Sequence, residues 1–158
     1  MSSIGHRCSP VRFHDYNFTK ESYDPWKAYG QSKTANIYIA NEIDRRYGSE
    51  GLHATSLHPG LVITKPRNQE GWQDPKVLGY LKSVEQGAAT SVYAALSKEW
   101  ERKGGRFLAD CVEQGPTRHS ENPMYVGDDG YESWVYDEKA ASRLWQDSSK
   151  MVGLGSDE

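Results

Sequence analysis

The sequence predicts an α/β fold built on a parallel sheet, and two observations carry that prediction. Helix-like and strand-like segments alternate in the order helix, strand, helix, strand, helix, which places parallel strands beneath helical crossovers. Only two strand candidates occur, too few to form such a sheet alone, so the chain reads as the second half of a larger fold. The composition fits a small core. Of 158 residues, 36% are hydrophobic and 26% charged. Five Trp, ten Tyr and three Phe supply aromatic area that argues against disorder.

The elements follow in order. Residues 1–27 hold scattered Gly5, Pro10, Asp15, Asn17, Asp24 and Pro25 with no sustained period, which predicts a long loop. From Ala28 to Tyr47 the residues Ala35, Ile39, Ile43 and Tyr47 recur every four positions, with Ala40 beside them and Arg45-Arg46 then Gly48 as stop signals. This predicts an amphipathic helix. Residues 52–58 form a short run ending at Pro59-Gly60, which suits a buried strand entering a turn. Residues 61–82 make a long connection, a length associated with binding loops and lids. Ser83-Val84-Glu85-Gln86 has the form of a capping box, and Val84, Ala88, Val92, Leu96 and Trp100 predict an apolar face on a second helix. Arg106 to Ala109 is the second strand candidate. Residues 113–136 read as loop and turns, after which Asp137 caps a last helix packed through Ala141, Leu144, Trp145 and Met151 and ended by Gly153.

Charge and cysteine content exclude several functions. Lys and Arg number 19 against 22 Asp and Glu, a formal net charge of −3, with no block of like charge to serve nucleic acid or an anionic membrane. The first residues lack the apolar run of a signal peptide, and no stretch approaches a membrane span, so a cytoplasmic protein is expected. Cys8 and Cys111 have no ligand-like neighbours and read as two reduced thiols. The five histidines, at 6, 14, 53, 58 and 119, share no metal-ligand spacing, and no metal is expected. His14-Asp15 without a nucleophile elbow reads as a solvated loop pair. Trp72, Tyr80, Trp134 and Tyr136 either line a pocket or pack a core, packing being the simpler reading.

One pair carries chemistry. Tyr29 and Lys33 stand four apart near the start of the first helix, so both project from one face. A phenol ionises near pH 10, and acid–base work near neutrality needs its anion stabilised by about 4 kcal/mol. An ammonium about 4 Å away supplies that only at an effective dielectric near 20, in a partly dry site. Ser2-Ser3-Ile4-Gly5-His6 lies upstream and Pro59-Gly60-Leu61-Val62-Ile63-Thr64 follows the first strand.

These three motifs, with Tyr29-Gly30-Gln31-Ser32-Lys33 at their centre, resemble the short-chain dehydrogenase/reductase family. The long stretch from serine to tyrosine, Ser32-Lys33-Thr34-Ala35-Asn36 and His58-Pro59-Gly60 resemble its retinol-dehydrogenase-like and WW-domain-oxidoreductase-like branch. Glu85 to Ala89, Gly104 to Leu108 and Cys111 resemble fungal members. The resemblance implies the C-terminal half of a doubly wound, Rossmann-type parallel sheet lacking the first strands and the glycine-rich turn. On it, residues 1–27 carry the serine segment, 28–112 part of a dinucleotide-binding domain with the catalytic helix, and 113–158 a C-terminal loop and helix.

The resemblance also implies roles. Tyr29 is the acid or base, Lys33 tunes it and bonds the nicotinamide ribose, and Ser3, rather than Ser2, orients the substrate oxygen. Pro59, Gly60, Val62 and Thr64 hold the nicotinamide carboxamide. The cofactor is NAD or NADP, the substrate a small alcohol or carbonyl compound. The family's glycine-rich phosphate turn and catalytic asparagine are not in the sequence, so an enzyme fragment inactive alone is expected. The rival expectation is a non-catalytic remnant that docks on a partner through an open sheet edge.

Overall fold

The computed structural model describes residues 1–63 and 75–155. Its first regular element is a 3-10 turn, Ile4–Cys8, opened by Ser3, whose side chain accepts from the Gly5 amide. The first helix, α1, runs Pro25–Tyr47, three residues longer at its start than the apolar pattern predicts. The reason is local: the Asp24 carboxylate accepts from the Trp26 and Lys27 amides, and Pro25 takes the first helical position, where its missing N–H costs nothing. Its deepest face is also displaced from the predicted stripe. Gly30, Thr34, Ile37, Tyr38 and Ala40 are buried, while Ala35, Ile39 and Ile43 are half-buried.

Strand β1 is Ser56–His58, shorter than the predicted run. Next come β2 (Leu61–Val62), a short α2 (Pro75–Leu78) and β3 (Leu81–Lys82). The capping box forms as predicted, with Ser83 and Gln86 exchanging bonds at the head of α3 (Val84–Leu96). Strand β4 (Phe107–Ala109) pairs parallel with β1 in the register Ser56↔Phe107, Leu57↔Leu108, His58↔Ala109. Strand β5 (Val112–Glu113) returns antiparallel to β4. Asp110 and Cys111, both at positive φ, form the two-residue turn between them, the conformation that fits the twist of a hairpin. Strands β2 and β3 make a separate parallel pair inside the segment predicted as one long connection. The last helix, α4 (Glu138–Met151), is capped by Asp137. A small mixed sheet flanked by helices results, a partial Rossmann-type fold without the N-terminal strands of such a sheet.

Neighbouring residues of β4 divide the core. Phe107 packs with Ile37 of α1 and Val135 on one face, and Leu108 packs with Leu57 and Trp100 on the other, as the strand period of two requires. A third cluster joins α1 to α4 through Val11, Tyr38, Ala141 and Leu144. Trp134 and Tyr136 lie against the Phe107 cluster, whereas Trp72 falls outside the described residues. The apolar stripe of α3 does not pack as predicted: Val84, Val92 and Leu96 are 57, 53 and 78% exposed. The inner face carries Gly87 and Thr90 instead, with Tyr93 and Ala94 against the Leu57 cluster.

Candidate active site

The serine turn and the head of α1 are locked together by small groups. At Gly30 the helix approaches the turn so closely that a Cβ would lie 2.7 Å from the Ser9 nitrogen and 3.0 Å from both the Gly5 oxygen and the Cys8 Cβ. Thr34 donates to the carbonyls of His6 and Ser9 at 3.1 and 2.8 Å. Ser2 ties down both neighbours: its hydroxyl donates to the Lys33 carbonyl at 2.8 Å and its amide to the Leu57 carbonyl at 2.7 Å. The second serine is free of that duty. Ser3 uses its hydroxyl oxygen to accept from the Gly5 amide at 3.1 Å.

Gly5 brings Ser3 to Tyr29. A Cβ at Gly5 would stand 2.4 Å from Cε1 of the Tyr29 ring and 3.5 Å from the Ser3 Oγ, so only glycine lets the ring lie against this turn. Tyr29 is 41% exposed. The Lys33 ammonium sits 5.2 Å from the centre of its ring, and among the described residues no carboxylate pairs with that ammonium. Trp26, one turn earlier, meets the ring edge to face at 6.4 Å.

The 59–62 segment reaches the same region from the end of β1. Ile4 shares a cavity of about 130 Å³ with His58, Gly60, Leu61, Lys82 and Asp129, which places the serine turn beside the Pro59–Gly60 corner. Gly60 adopts positive φ, with the stem of Lys82 across it. The Lys82 ammonium is ion-paired with Asp110. Val62 is held in the ladder with β3, and its side chain lies on Gly87 of α3. Thr64 falls outside the described residues.

The electrostatics of this corner come from burial. His58 is buried, and desolvation, followed by the Lys82 charge, pushes its pKa down to about 4; its Nε2 is 4.0 Å from Asp129. Burial, followed by the nearby Asp110 charge, pushes the Asp129 carboxyl up. Among the described residues no group of His, Cys, Asp and Glu could hold a metal ion. Nor is any described helix long and apolar enough to cross a membrane.

Sequence reasoning missed the supports of the site. The buried Arg7 donates to Thr117 Oγ1 and to the carbonyls of Asp128 and Tyr125, at 3.2, 2.8 and 2.9 Å. This fastens the turn to the 117–128 loop. Asp15 is not solvated as predicted. Its carboxylate accepts from the amides of Thr19, Lys20 and Glu21 and from the Thr19 hydroxyl. Burial pushes its pKa up, and these donors more than offset that, holding it well below the usual carboxylate range. His14 instead pairs with Glu21 at the surface.

No family model matches the chain. Oxidoreductase calI of Penicillium decumbens is 41% identical over 99% of this chain and 48% of its own length. The short-chain dehydrogenase/reductase prx1 of Penicillium roqueforti is 43% identical over 98% of this chain and 46% of its own. Retinol dehydrogenase 13 of Mus musculus is 28% identical over 98% of this chain and 44% of its own. An uncharacterized protein of Mycobacterium paratuberculosis with a known crystal structure superimposes with a TM-score of 0.65 at 26% identity, covering 99% of this chain and 50% of that one. The chain spans about half the length of the curated relatives it matches and is homologous to fungal oxidoreductases over that half.

Proposed function

We propose that the chain is the catalytic half of a short-chain dehydrogenase/reductase of the retinol-dehydrogenase-like branch. In the complete enzyme a hydride would pass between NAD or NADP and an alcohol or carbonyl compound. The observation that carries this reading is that Ser3 and the Tyr29 ring meet at Gly5, with the Lys33 ammonium 5.2 Å from the ring centre, beside the Pro59–Gly60 corner. The identity of 41–43% to the Penicillium proteins supports it.

The residues present fit one end of such a cofactor. An ammonium with no carboxylate partner among the described residues suits the ribose hydroxyls, and the turn at Pro59, Gly60 and Val62 suits a carboxamide. Bound there, the nicotinamide would supply or accept the hydride. Tyr29 would give its hydroxyl proton to the substrate oxygen during reduction and remove it during oxidation. Ser3 would donate to that same oxygen and hold it within reach of the phenol. Lys33 would stabilise the phenolate through its charge, most strongly once water is excluded. The test joins the chain to the complementary half of a Penicillium relative and follows NAD(P)H absorbance with a panel of alcohols and aldehydes. Turnover that disappears in Tyr29→Phe supports the reading, and its absence with every substrate and both cofactors argues against it.

A second reading rests on a different observation. Strand β1 is an edge of the sheet order β1–β4–β5, covered by the Ser2 amide at the Leu57 carbonyl alone among the described main-chain bonds on that side, and the outward stripe of α3 is apolar. A non-catalytic module could add a partner's strand at that edge. Capture of a defined partner by a chain that stays inactive when joined to the other half would favour it.

A further inference from the structure

The imidazole of His6 is fully buried, edge-on to Phe107 at 4.9 Å between ring centres. It has two polar partners on opposite sides. Nδ1 lies 2.6 Å from the Ser3 carbonyl, and Nε2 lies 3.3 Å from the Glu132 backbone nitrogen. A carbonyl only accepts and an amide N–H only donates, so the two contacts fix the ring: Nδ1 carries the proton and Nε2 is bare. The Ser3 carbonyl receives a second bond, from the His6 amide at 3.1 Å, while the Ser3 hydroxyl takes the Gly5 amide at 3.1 Å. The hydroxyl and the carbonyl of Ser3 are thereby fixed by its own turn, and the turn is tied to a segment more than a hundred residues away. Gly5, the next member of the chain of contacts, is the residue on which the Tyr29 ring rests.

We propose that His6 is a positioning residue of the site: a neutral imidazole, held as the Nδ1–H tautomer between Ser3 and Glu132, that sets the distance between the Ser3 hydroxyl and Tyr29. Its importance for chemistry rests on the dehydrogenase reading, but its geometry does not. A hydrocarbon of the same shape could fill the space beside Phe107 and would not orient Ser3. Burial, helped by the neighbouring Arg7 charge, opposes protonation and outweighs the Ser3 carbonyl, which favours it, so Nε2 stays available to the amide. The other ionisable groups at this position are His58, which would feel the charge of a protonated His6, and Glu132, whose backbone makes the contact. A doubly protonated ring would lose the Glu132 bond and leave that amide without its acceptor.

The test uses the chain joined to its complementary half, with ¹⁵N labelling, and needs no turnover. Long-range nitrogen–proton spectra at neutral pH should show His6 as the Nδ1–H tautomer; an Nε2–H ring or a mixture would overturn the proposal whatever the variants do. Amide exchange then separates positioning from packing. In His6→Phe, which keeps a ring against Phe107, exchange at Gly5 should rise by about tenfold while Leu108 and Ile37 stay protected. His6→Asn can still offer a donor to the Ser3 carbonyl and should restore most of the Gly5 protection. Equal rises at Gly5 and Leu108 in both variants would reduce His6 to a packing residue, and no rise in either would remove it from the site altogether. Hydride transfer is measured separately in the joined enzyme. Failure of the dehydrogenase reading therefore leaves the exchange result standing, and failure of the exchange test leaves turnover untouched.

Discussion

Tyr29 differs from phenylalanine by one oxygen atom, and the proposed chemistry rests on that atom. In the chain joined to its complementary half, Tyr29→Phe should remove nearly all turnover and leave cofactor affinity close to unchanged, because the ring still fills its place against Gly5. Comparable turnover with chemistry rate-limiting would exclude Tyr29 as the acid or base. Lys33 is assigned two jobs, so Lys33→Met should weaken cofactor binding as well as turnover; normal affinity by calorimetry would show the ribose contact to be missing. Ser3, Tyr29 and Lys33 could be singled out in the sequence because their order and spacing form a motif, and in the structure Ser3 and the Tyr29 ring meet at Gly5 with the Lys33 ammonium 5.2 Å from the ring centre. His6 and Arg7 were not legible. Their partners, Glu132, Thr117, Tyr125 and Asp128, lie more than a hundred residues downstream, and a histidine and an arginine in a loop carry no local sign of burial. Asp15 failed for another reason: a carboxylate that accepts from the next few amides looks, in sequence, like any polar loop residue.

Helix α1 is positioned by contact at Gly30 more than by an apolar stripe, which explains why its period predicted the helix but not its deepest face. The groups that a methyl would meet there are the Ser9 nitrogen, the Gly5 carbonyl and the Cys8 Cβ. Two of the three are main chain and cannot rotate aside. Gly30→Ala should therefore push the serine turn off the helix and cost about 1–3 kcal/mol, the usual range for overpacking. Urea unfolding of the joined protein reads this directly, and an unchanged midpoint would mean that the turn is not seated on the helix as described. Elements with local signals were found: the capping box of α3, the Asp137 cap of α4 and the breaks at Gly48 and Gly153. The shortest paired elements were missed. Strands β2 and β3 have two residues each, too few for a period, and the β4–β5 turn uses Asp110-Cys111 where Asn-Gly would have announced a hairpin. The α3 stripe misled because helical period marks an apolar face without saying what covers it.

Across the whole molecule, two buried imidazoles make stability depend on pH. His6 and His58 are each lowered from 6.5 to about 4, with desolvation the largest cause. Between those values the unfolded chain binds protons that the folded one refuses, so their contribution is complete above about pH 6.5 and is lost as pH falls toward about 4. The change amounts to about 3 kcal/mol for each ring at most. Urea midpoints of the joined protein should drop across that interval, and a flat profile would show that the two rings are not buried as neutral groups. The last expectation concerns the 158 residues alone, which should neither bind NAD(P) detectably nor catalyse. In dinucleotide folds affinity comes largely from the first strand–helix turn, whose amides and helix N-terminus receive the pyrophosphate, and no such glycine-rich turn occurs in this sequence. On the proposed reading, Lys33 and the Pro59–Val62 segment would meet only the nicotinamide end. A few hydrogen bonds at about 1 kcal/mol each do not offset an association cost of at least about 4 kcal/mol. The exposed Val84, Val92 and Leu96 on α3, together with the edge position of β1, should also make the isolated chain self-associate as its concentration rises. Cofactor fluorescence titration and sedimentation on the same sample check both statements, and a monomer that binds NAD(P) at micromolar concentration would require the pyrophosphate to be held by residues other than a glycine-rich turn.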